Sequence, residues 1–158
     1  MAKGRVYTVS FANVSVSAAQ DLFEVSPADD KPVELIGLFL AQNGVGDVGD
    51  AAEELIRISV IRGHATSGTG TAATAHPVKR TDPAAGFACE INNTTVASTG
   101  TPITLHEDAF NVRAGYMLWW PEGTEPDAAQ GDTTIVVRIP APADAITLTG
   151  TLYVRELG

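Results

Sequence analysis

The chain has 158 residues, of which 44% are hydrophobic and 18% charged, and its formal net charge is −9. That length fits one domain able to bury a sizeable core. The acidic balance disfavours binding to phosphate backbones and to anionic membrane surfaces. We therefore expect neither nucleic acid nor a membrane among the partners.

Apolar and polar residues alternate along eight segments, and no stretch between them has the period of a long amphipathic helix. In chain order the predicted strands are Gly4–Val16, Val33–Gln42, Glu54–Arg62, Phe87–Val96, Pro102–His106, Tyr116–Trp120, Thr133–Ile139 and Ile146–Glu156. Turn residues and long connections separate these segments. The pattern predicts a single all-β domain over residues 1–158, folded as a jelly-roll or Greek-key β-sandwich of about eight strands.

The first strand changes phase part of the way along. Tyr7, Val9 and Phe11 share one face, and the alternation shifts at Ala12-Asn13, which predicts a bulge or bend there. A long, bent first strand either crosses between sheets or leaves the body of the domain. We therefore consider residues 1–12 as an arm that pairs with a neighbouring subunit.

Three further segments have a distinctive composition. Ala18–Val25 is compatible with either a helical turn or a short strand. Val33–Gln42 is almost continuously apolar, which predicts a central strand buried on both faces. Residues 63–85 form a long connection without a large apolar residue between His64 and His76, so we expect an exposed loop there.

The N-terminal residues are not followed by the apolar core of a signal peptide, and the longest apolar run, Leu35–Ala41, is too short to span a bilayer. Cys89 is the single cysteine, so an internal disulfide is impossible. Phe87 and Ile91 share its strand face, which predicts a buried thiol and not a nucleophile. We expect the chain to be made and folded in a cytoplasm.

The histidines do not form a recognisable metal-binding pattern. A cupin-like site needs a His-x-His pair with a nearby glutamate, but Thr104 occupies the position two residues before His106. His64 and His76 lie in the predicted loop without supporting groups. We predict no catalytic site, no bound metal, no cofactor and no enzymatic activity. The competing hypothesis at this point is a cupin-like enzyme in which His106 and a loop histidine bind a transition metal.

The densest acidic cluster is Asp47–Glu54. Asp50 is placed to cap a short turn, with Glu53 three residues later in the manner of a capping box. The alternative is a Ca²⁺ ion gathered by these carboxylates. The spacing favours the cap or a solvated face.

Two adjacent tryptophans, Trp119 and Trp120, end the sixth predicted strand. Adjacent strand residues point to opposite faces, so one indole is expected in the core and the other on the surface. An exposed Trp stacks on sugars or anchors a protein interface. The alternative is that both are buried because the strand is central.

Five segments that together span nearly the whole chain carry a resemblance to known proteins: Ala2–Val14, Asp30–Gln42, Glu54–His64, Ala109–Tyr116 and Leu148–Gly158. They resemble small proteins encoded among the structural genes of tailed phages and prophages. They share general sequence and no diagnostic motif, so no functional residue is transferred. The resemblance implies a virion component, specifically a jelly-roll decoration (cement) protein on the capsid exterior. Such a protein binds the major capsid protein between capsomers, commonly as a homotrimer, and stabilises the shell.

Contacts with the shell would come from the arm, through β-augmentation, and from the loop, ordered at a subunit junction. A trimer would engage three such contacts at once. The candidate interface residues are Arg5, Tyr7, Val9, Phe11, His64, His76, Trp119 and Trp120. The alternative function is a carbohydrate-binding or host-attachment module of a phage tail or spike, with an exposed Trp as stacking platform.

Overall fold

The computed structural model describes residues 4–43, 53–129 and 132–158. These ranges contain twelve strands and no helix. The strands are β1 (Arg5–Val16), β2 (Gln20–Ser26), β3 (Val33–Gln42), β4 (Leu55–His64), β5 (Thr69–Ala73), β6 (His76–Pro77), β7 (Ala88–Thr95), β8 (Ile103–Asn111), β9 (Tyr116–Trp119), β10 (Asp127–Ala128), β11 (Thr134–Ile139) and β12 (Ile146–Glu156).

The strands form two six-stranded antiparallel sheets. Sheet A has the order β10-β3-β12-β1-β6, with β9 also pairing with β3, and sheet B has the order β5-β7-β2-β11-β4-β8. Early strands pair with late ones: β1 with β12, β2 with β11, β3 with β9 and β4 with β8. Since β1 to β4 also alternate between the sheets, the chain is one long hairpin rolled into two layers. This connectivity is a jelly roll, so the predicted fold class is confirmed.

All eight predicted segments are strands, and the ambiguous Ala18–Val25 segment lies mostly in β2. The single exposed loop predicted for residues 63–85 needs correction, because β5 and β6 form within it. β5 extends sheet B beyond β7, and β6 pairs with β1 in sheet A. Edge strands need backbone hydrogen-bond partners but few apolar side chains, so the absence of large apolar residues did not exclude them.

The prediction of an N-terminal arm is also corrected for the described residues. β1 lies between β12 and β6, and its Tyr7, Val9 and Phe11 side chains are 0%, 1% and 5% exposed. The predicted bulge is confirmed, since the register with β12 shifts between Phe11 and Val14, and Asn13 has a φ of 56°. The bulge resets the alternation so that Val16 also reaches the core.

The core lies between the two sheets. The rings of Phe11 from sheet A and Phe23 from sheet B are 5.1 Å apart at their centroids. A Cβ atom on Gly150 would lie 3.0 Å from the Phe11 ring, so this glycine lets the ring lie against β12. Cys89 is buried as predicted, and burial raises the pKa of its thiol to about 11.

β3 differs from its prediction as a strand buried on both faces. Val33, Leu35 and Leu38 are buried between the sheets, whereas Ile36 and Phe39 on the opposite face are only half-buried. No second layer covers that face within the described part of the chain. The almost continuous apolar run therefore supplies both a core face and an apolar outer surface.

Helices able to span a membrane are absent from the ranges that the structure describes.

Replacement of Phe11 by alanine tests whether β1 belongs to the core. Phe11→Ala should lower the free energy of unfolding by about 3–5 kcal/mol, because a large buried ring leaves a cavity. The adjacent exposed residue provides the control, and Ser10→Ala should change stability by less than about 0.5 kcal/mol. Chemical denaturation followed by circular dichroism measures both. Equal stability of Phe11→Ala and the wild type would restore the arm interpretation.

Candidate interaction surface

The outer face of sheet A carries an exposed aromatic cluster formed by Phe39, Trp119 and Tyr153. Ring centroids are 5.2 Å apart for Phe39 and Trp119, 4.8 Å for Trp119 and Tyr153, and 5.7 Å for Phe39 and Tyr153. Trp119 is 50% exposed, and the neighbouring Met117 is 72% exposed. The cluster is thus a connected apolar surface and not a set of isolated side chains.

A glycine in the neighbouring strand positions Trp119. β9 pairs with β3 so that Trp119 lies opposite Gly37, and Gly37 in turn faces Tyr153 of β12. A Cβ atom on Gly37 would approach the indole to 2.5 Å. The indole therefore lies directly on the β3 backbone, which limits its conformational freedom.

Two grooves flank the aromatic cluster. One has a volume of about 330 Å³ and is lined on the β9 side by Ala114, Tyr116 and Met117. The other has a volume of about 280 Å³ and runs from Trp119 and Tyr153 to residues of β1 and of the segment after β6. That second groove is lined by Gly4, Val6, Ile36, Val78, Lys79, Asp82, Trp119 and Tyr153. The apolar surface thus extends across sheet A from β9 to β6.

Charge is scarce on this face. Its outward strand positions are mostly Thr, Ser, Val and aromatic residues. Asp127 of β10 forms an ion pair with Arg62, and Glu34 and Arg155 belong to a second network. Arg155 Nη1 donates hydrogen bonds to Glu34 Oε2 at 2.7 Å and to Glu125 Oε1 at 3.1 Å. Hydrogen bonds from its own backbone N–H and from Gly123, together with Arg155, lower the pKa of the Glu125 carboxyl. The Arg155 charge is thus shared by two carboxylates at one end of the face.

The other outer face, on sheet B, carries a buried polar centre made by Asp21, Glu24, His64, Asn93 and Arg138. Arg138 donates hydrogen bonds to both carboxylate oxygens of Asp21, at 2.5 and 3.0 Å. Asp21 Oδ2 accepts the backbone N–H of residue 97 at 2.7 Å, and Arg138 donates to the carbonyl of the same residue at 2.8 Å. Through these hydrogen bonds to residue 97, the Asp21–Arg138 ion pair holds residues 95–101 against sheet B.

A second set of hydrogen bonds involves Glu24, which is 1% exposed. Its carboxylate accepts hydrogen bonds from the Ser67 hydroxyl, from the Gly68 N–H at 3.0 Å and from Asn93 Nδ2 at 2.8 Å. The chain after β4 is thereby fixed against β2. Both buried carboxylates have structural partners, so the polar centre holds the insertion between β4 and β8 in place.

Two members of the polar centre have buried polar atoms without a hydrogen-bond partner: Asn93 through its Oδ1, and His64 through both ring nitrogens. The His64 side chain is 6% exposed. Burial and the positive charge of Arg138 lower the pKa of His64, although Asp21 and Glu24 act in the opposite direction. The imidazole is therefore neutral in the folded protein near neutral pH.

Among the described residues, no three His, Cys, Asp or Glu side chains are grouped to hold a metal ion. His106 Nε2 lies 3.1 Å from the Tyr116 hydroxyl, which donates to Asp108 Oδ2 at 3.3 Å. Burial and the Asp108 charge raise the pKa of Tyr116. Residues 47–52 of the Asp47–Glu54 cluster lie outside the described ranges, so the cap and the Ca²⁺ site stay predictions.

The eight predicted interface residues do not form one surface. Trp119 belongs to the aromatic cluster, whereas Trp120 packs against the core and contacts the His106 ring edge-to-face at 5.7 Å. His76 is exposed on β6, and Arg5 is half-buried at the start of β1. The other four, which are buried and therefore unavailable in the folded chain, are Tyr7, Val9, Phe11 and His64.

Sequence reasoning missed Phe39, Met117 and Tyr153. Each lies at an outward position of its strand, and alternation within β3, β9 and β12 could have identified them as a set. That step needs the knowledge that these strands are neighbours and that no layer covers them. Comparison with protein-family models, curated proteins and solved structures finds no match.

The buried His64 should make stability fall as the pH is lowered. Its pKa is about 6.5 in the unfolded chain and lower in the fold, so the unfolded state binds a proton first. His64 is thus expected to cost stability progressively below about pH 6.5. His64→Leu should reduce the loss of melting temperature between pH 7.5 and pH 5.5, measured by calorimetry.

The exposed histidine supplies the control for that experiment. His76→Leu should leave the wild-type slope of melting temperature against pH unchanged, because His76 lies on the surface. An unchanged slope in His64→Leu would show that His64 is not buried in its neutral form.

Proposed function

We propose that this chain is a virion structural protein, a decoration protein that binds the exterior of a phage capsid and stabilises the shell. Its partner in this proposal is the major capsid protein, and it acts as a homotrimer. The single observation that carries the proposal is the exposed aromatic cluster on the outer face of sheet A.

The composition of that face supports protein binding. Interfaces are enriched in Trp, Tyr, Phe and Met and depleted of charge at their centres. The cluster around Trp119 has this composition, and the Arg155 network lies at its margin. A chain with a net charge of −9 would otherwise be expected to place charged residues on an exposed sheet face.

The rest of the molecule fits a structural role. Jelly rolls occur in viral capsids, lectins and cupins, so the fold by itself does not choose among them. The buried carboxylates and Arg138 are used to clamp the insertion onto sheet B, which favours a structural role over a catalytic one. The acidic charge suits the outside of a particle, away from packaged DNA.

Trimerisation would add avidity to this surface. Three copies held together present three aromatic clusters to the shell, so contacts that are individually weak act together. Light scattering of the purified protein at micromolar concentration should give the mass of three chains. A monomer that also fails to bind shells would contradict the proposal.

Removal of the indole should weaken shell binding without unfolding the protein. Trp119→Ala should reduce affinity for expanded shells of the same phage at least tenfold, since a central interface Trp typically contributes 2 kcal/mol or more. Met117→Lys, which adds a charge at a position 72% exposed, should act similarly. Co-sedimentation with shells measures binding, and the melting temperature monitors folding.

Leu55→Ala is the matched control, because Leu55 is 77% exposed but belongs to β4 in sheet B. It should bind shells like the wild type. Equal losses for Leu55→Ala and Trp119→Ala would mean that general surface apolarity, and not the aromatic cluster, drives binding.

The second candidate is a carbohydrate-binding or host-attachment module. The observation in its favour is that Trp119 and Tyr153 line a groove together with Lys79 and Asp82. Aromatic faces stack on sugars, and charged groups beside them bind hydroxyls. If this candidate is correct, a glycan array should give a signal that Trp119→Ala and Asp82→Asn both abolish. Shell binding with an empty array would reject it.

A further inference from the structure

Residues 97–101, which connect β7 to β8 and which we term the flap, lie against the polar centre of sheet B. The first residue of the flap donates its N–H to Asp21 at 2.7 Å and accepts a hydrogen bond from Arg138 at 2.8 Å. Ser98 exchanges two backbone hydrogen bonds with Thr66. The flap sequence is Ala-Ser-Thr-Gly-Thr, without a charge or a large apolar side chain. Hydrogen bonds, and not apolar burial, therefore hold most of it in place.

The closed flap contains strained backbone. Thr99 has a φ of 58°, a conformation that β-branched residues rarely adopt. Gly100 follows with a φ of 74°, and a Cβ atom on it would lie 2.5 Å from the Gly63 carbonyl oxygen. The flap thus turns tightly against the end of β4, and opening would relieve the strain at Thr99.

His64 lies where the flap meets β4. It pairs across the sheet with Thr134, whose hydroxyl oxygen is also buried without a hydrogen-bond partner. The His64 side chain is 6% exposed, and the Thr101 N–H donates to the neighbouring Gly63 carbonyl at 3.1 Å. A proton added to this ring would place a charge in a site that the chain closes to solvent.

The charged groups that face His64 within the described ranges come from β2 and β11. Burial has the largest effect and lowers the pKa of His64, and the positive charge of Arg138 acts in the same direction. A backbone group of Thr99 and the carboxylates of Asp21 and Glu24 act in the opposite direction without reversing it. Opening of the flap would return the ring to solvent and to an ordinary pKa near 6.5.

We infer that the flap is acid-sensitive, and that protonation of His64 favours its detachment from sheet B. The closed form binds the proton less tightly than the open form, so opening becomes more favourable as the pH falls below about 6.5. Above that pH the ring is neutral in both forms. Between pH 7.5 and pH 5.5, one such group can raise the open population by at most about tenfold. Detachment uncovers the polar centre, whether or not the chain binds a shell.

Amide hydrogen exchange of the full chain, measured by NMR as protection factors, tests this opening. The reporters are the N–H groups of Ala97, Ser98 and Thr101, which the closed flap holds in hydrogen bonds. Their protection factors should fall about three- to tenfold between pH 7.5 and pH 5.5. They should also be lower than those of β12 and insensitive to low urea concentrations, because local opening exposes little surface.

Two variants identify the titrating group. His64→Gln keeps a polar side chain that does not titrate in this range, and His64→Leu removes polarity as well. Both should abolish the loss of flap protection at pH 5.5. The control is His76→Leu, which replaces an exposed histidine and should keep the wild-type pH dependence.

Three results would overturn the inference. The first is equal flap protection at the two pH values in the wild type. The second is a fall that persists in both His64 variants, because another group would then drive the opening. The third is flap protection that matches that of β12 in size and urea dependence, because the flap would then open only with the whole domain.

If neither His64 variant folds, titration of the His64 ring protons in the wild type decides. A midpoint below pH 6.5, together with the loss of flap protection, supports the inference, and a midpoint at or above pH 6.5 overturns it.

Discussion

The pairing of β12 with β1 on one side and with β3 on the other supports the rest of the structure. Each of these ladders joins residues more than a hundred positions apart in the chain, such as Val9 with Leu152 and Leu38 with Leu152. Leu152 is fully buried between the sheets. Because β3 and β12 carry Phe39 and Tyr153 on their outer side, the core and part of the aromatic cluster lie on opposite sides of the same strands, and β9 adds Trp119.

The two outer faces of the sandwich differ in how they use charge. On sheet B, Asp21 and Glu24 are withdrawn from solvent, and together with the partly exposed Arg138 they are bonded to the crossing chain that covers them. A buried carboxylate is stable only with such partners. On sheet A no chain crosses the aromatic cluster in the described ranges, and Thr, Ser and aromatic residues are left exposed. The first face is closed by its own chain, and the second is available to a partner.

The insertion between β4 and β8 explains several differences between prediction and structure. A regular jelly roll would connect these strands directly, but here β5, β6 and β7 are added between them. β5 and β6 have small or polar residues, so neither apolar alternation nor β propensity marks them. Their positions depend on backbone pairing with β7 and β1 and on the hydrogen bonds that Glu24 accepts from the preceding residues. Such long-range contacts leave no local pattern in the sequence.

By itself, the sequence determined eight of the twelve described strands, the bulge after Phe11, the buried Cys89 and the sandwich class. Each of these follows from alternation, which reflects burial on one face of a strand. Only the tertiary structure decided which strands are neighbours. It therefore decided that Tyr7, Val9 and Phe11 are core residues, and that Phe39, Trp119 and Tyr153 meet on one surface. Alternation separates the two faces of a strand, but whether the outer face is covered depends on the path of distant chain segments.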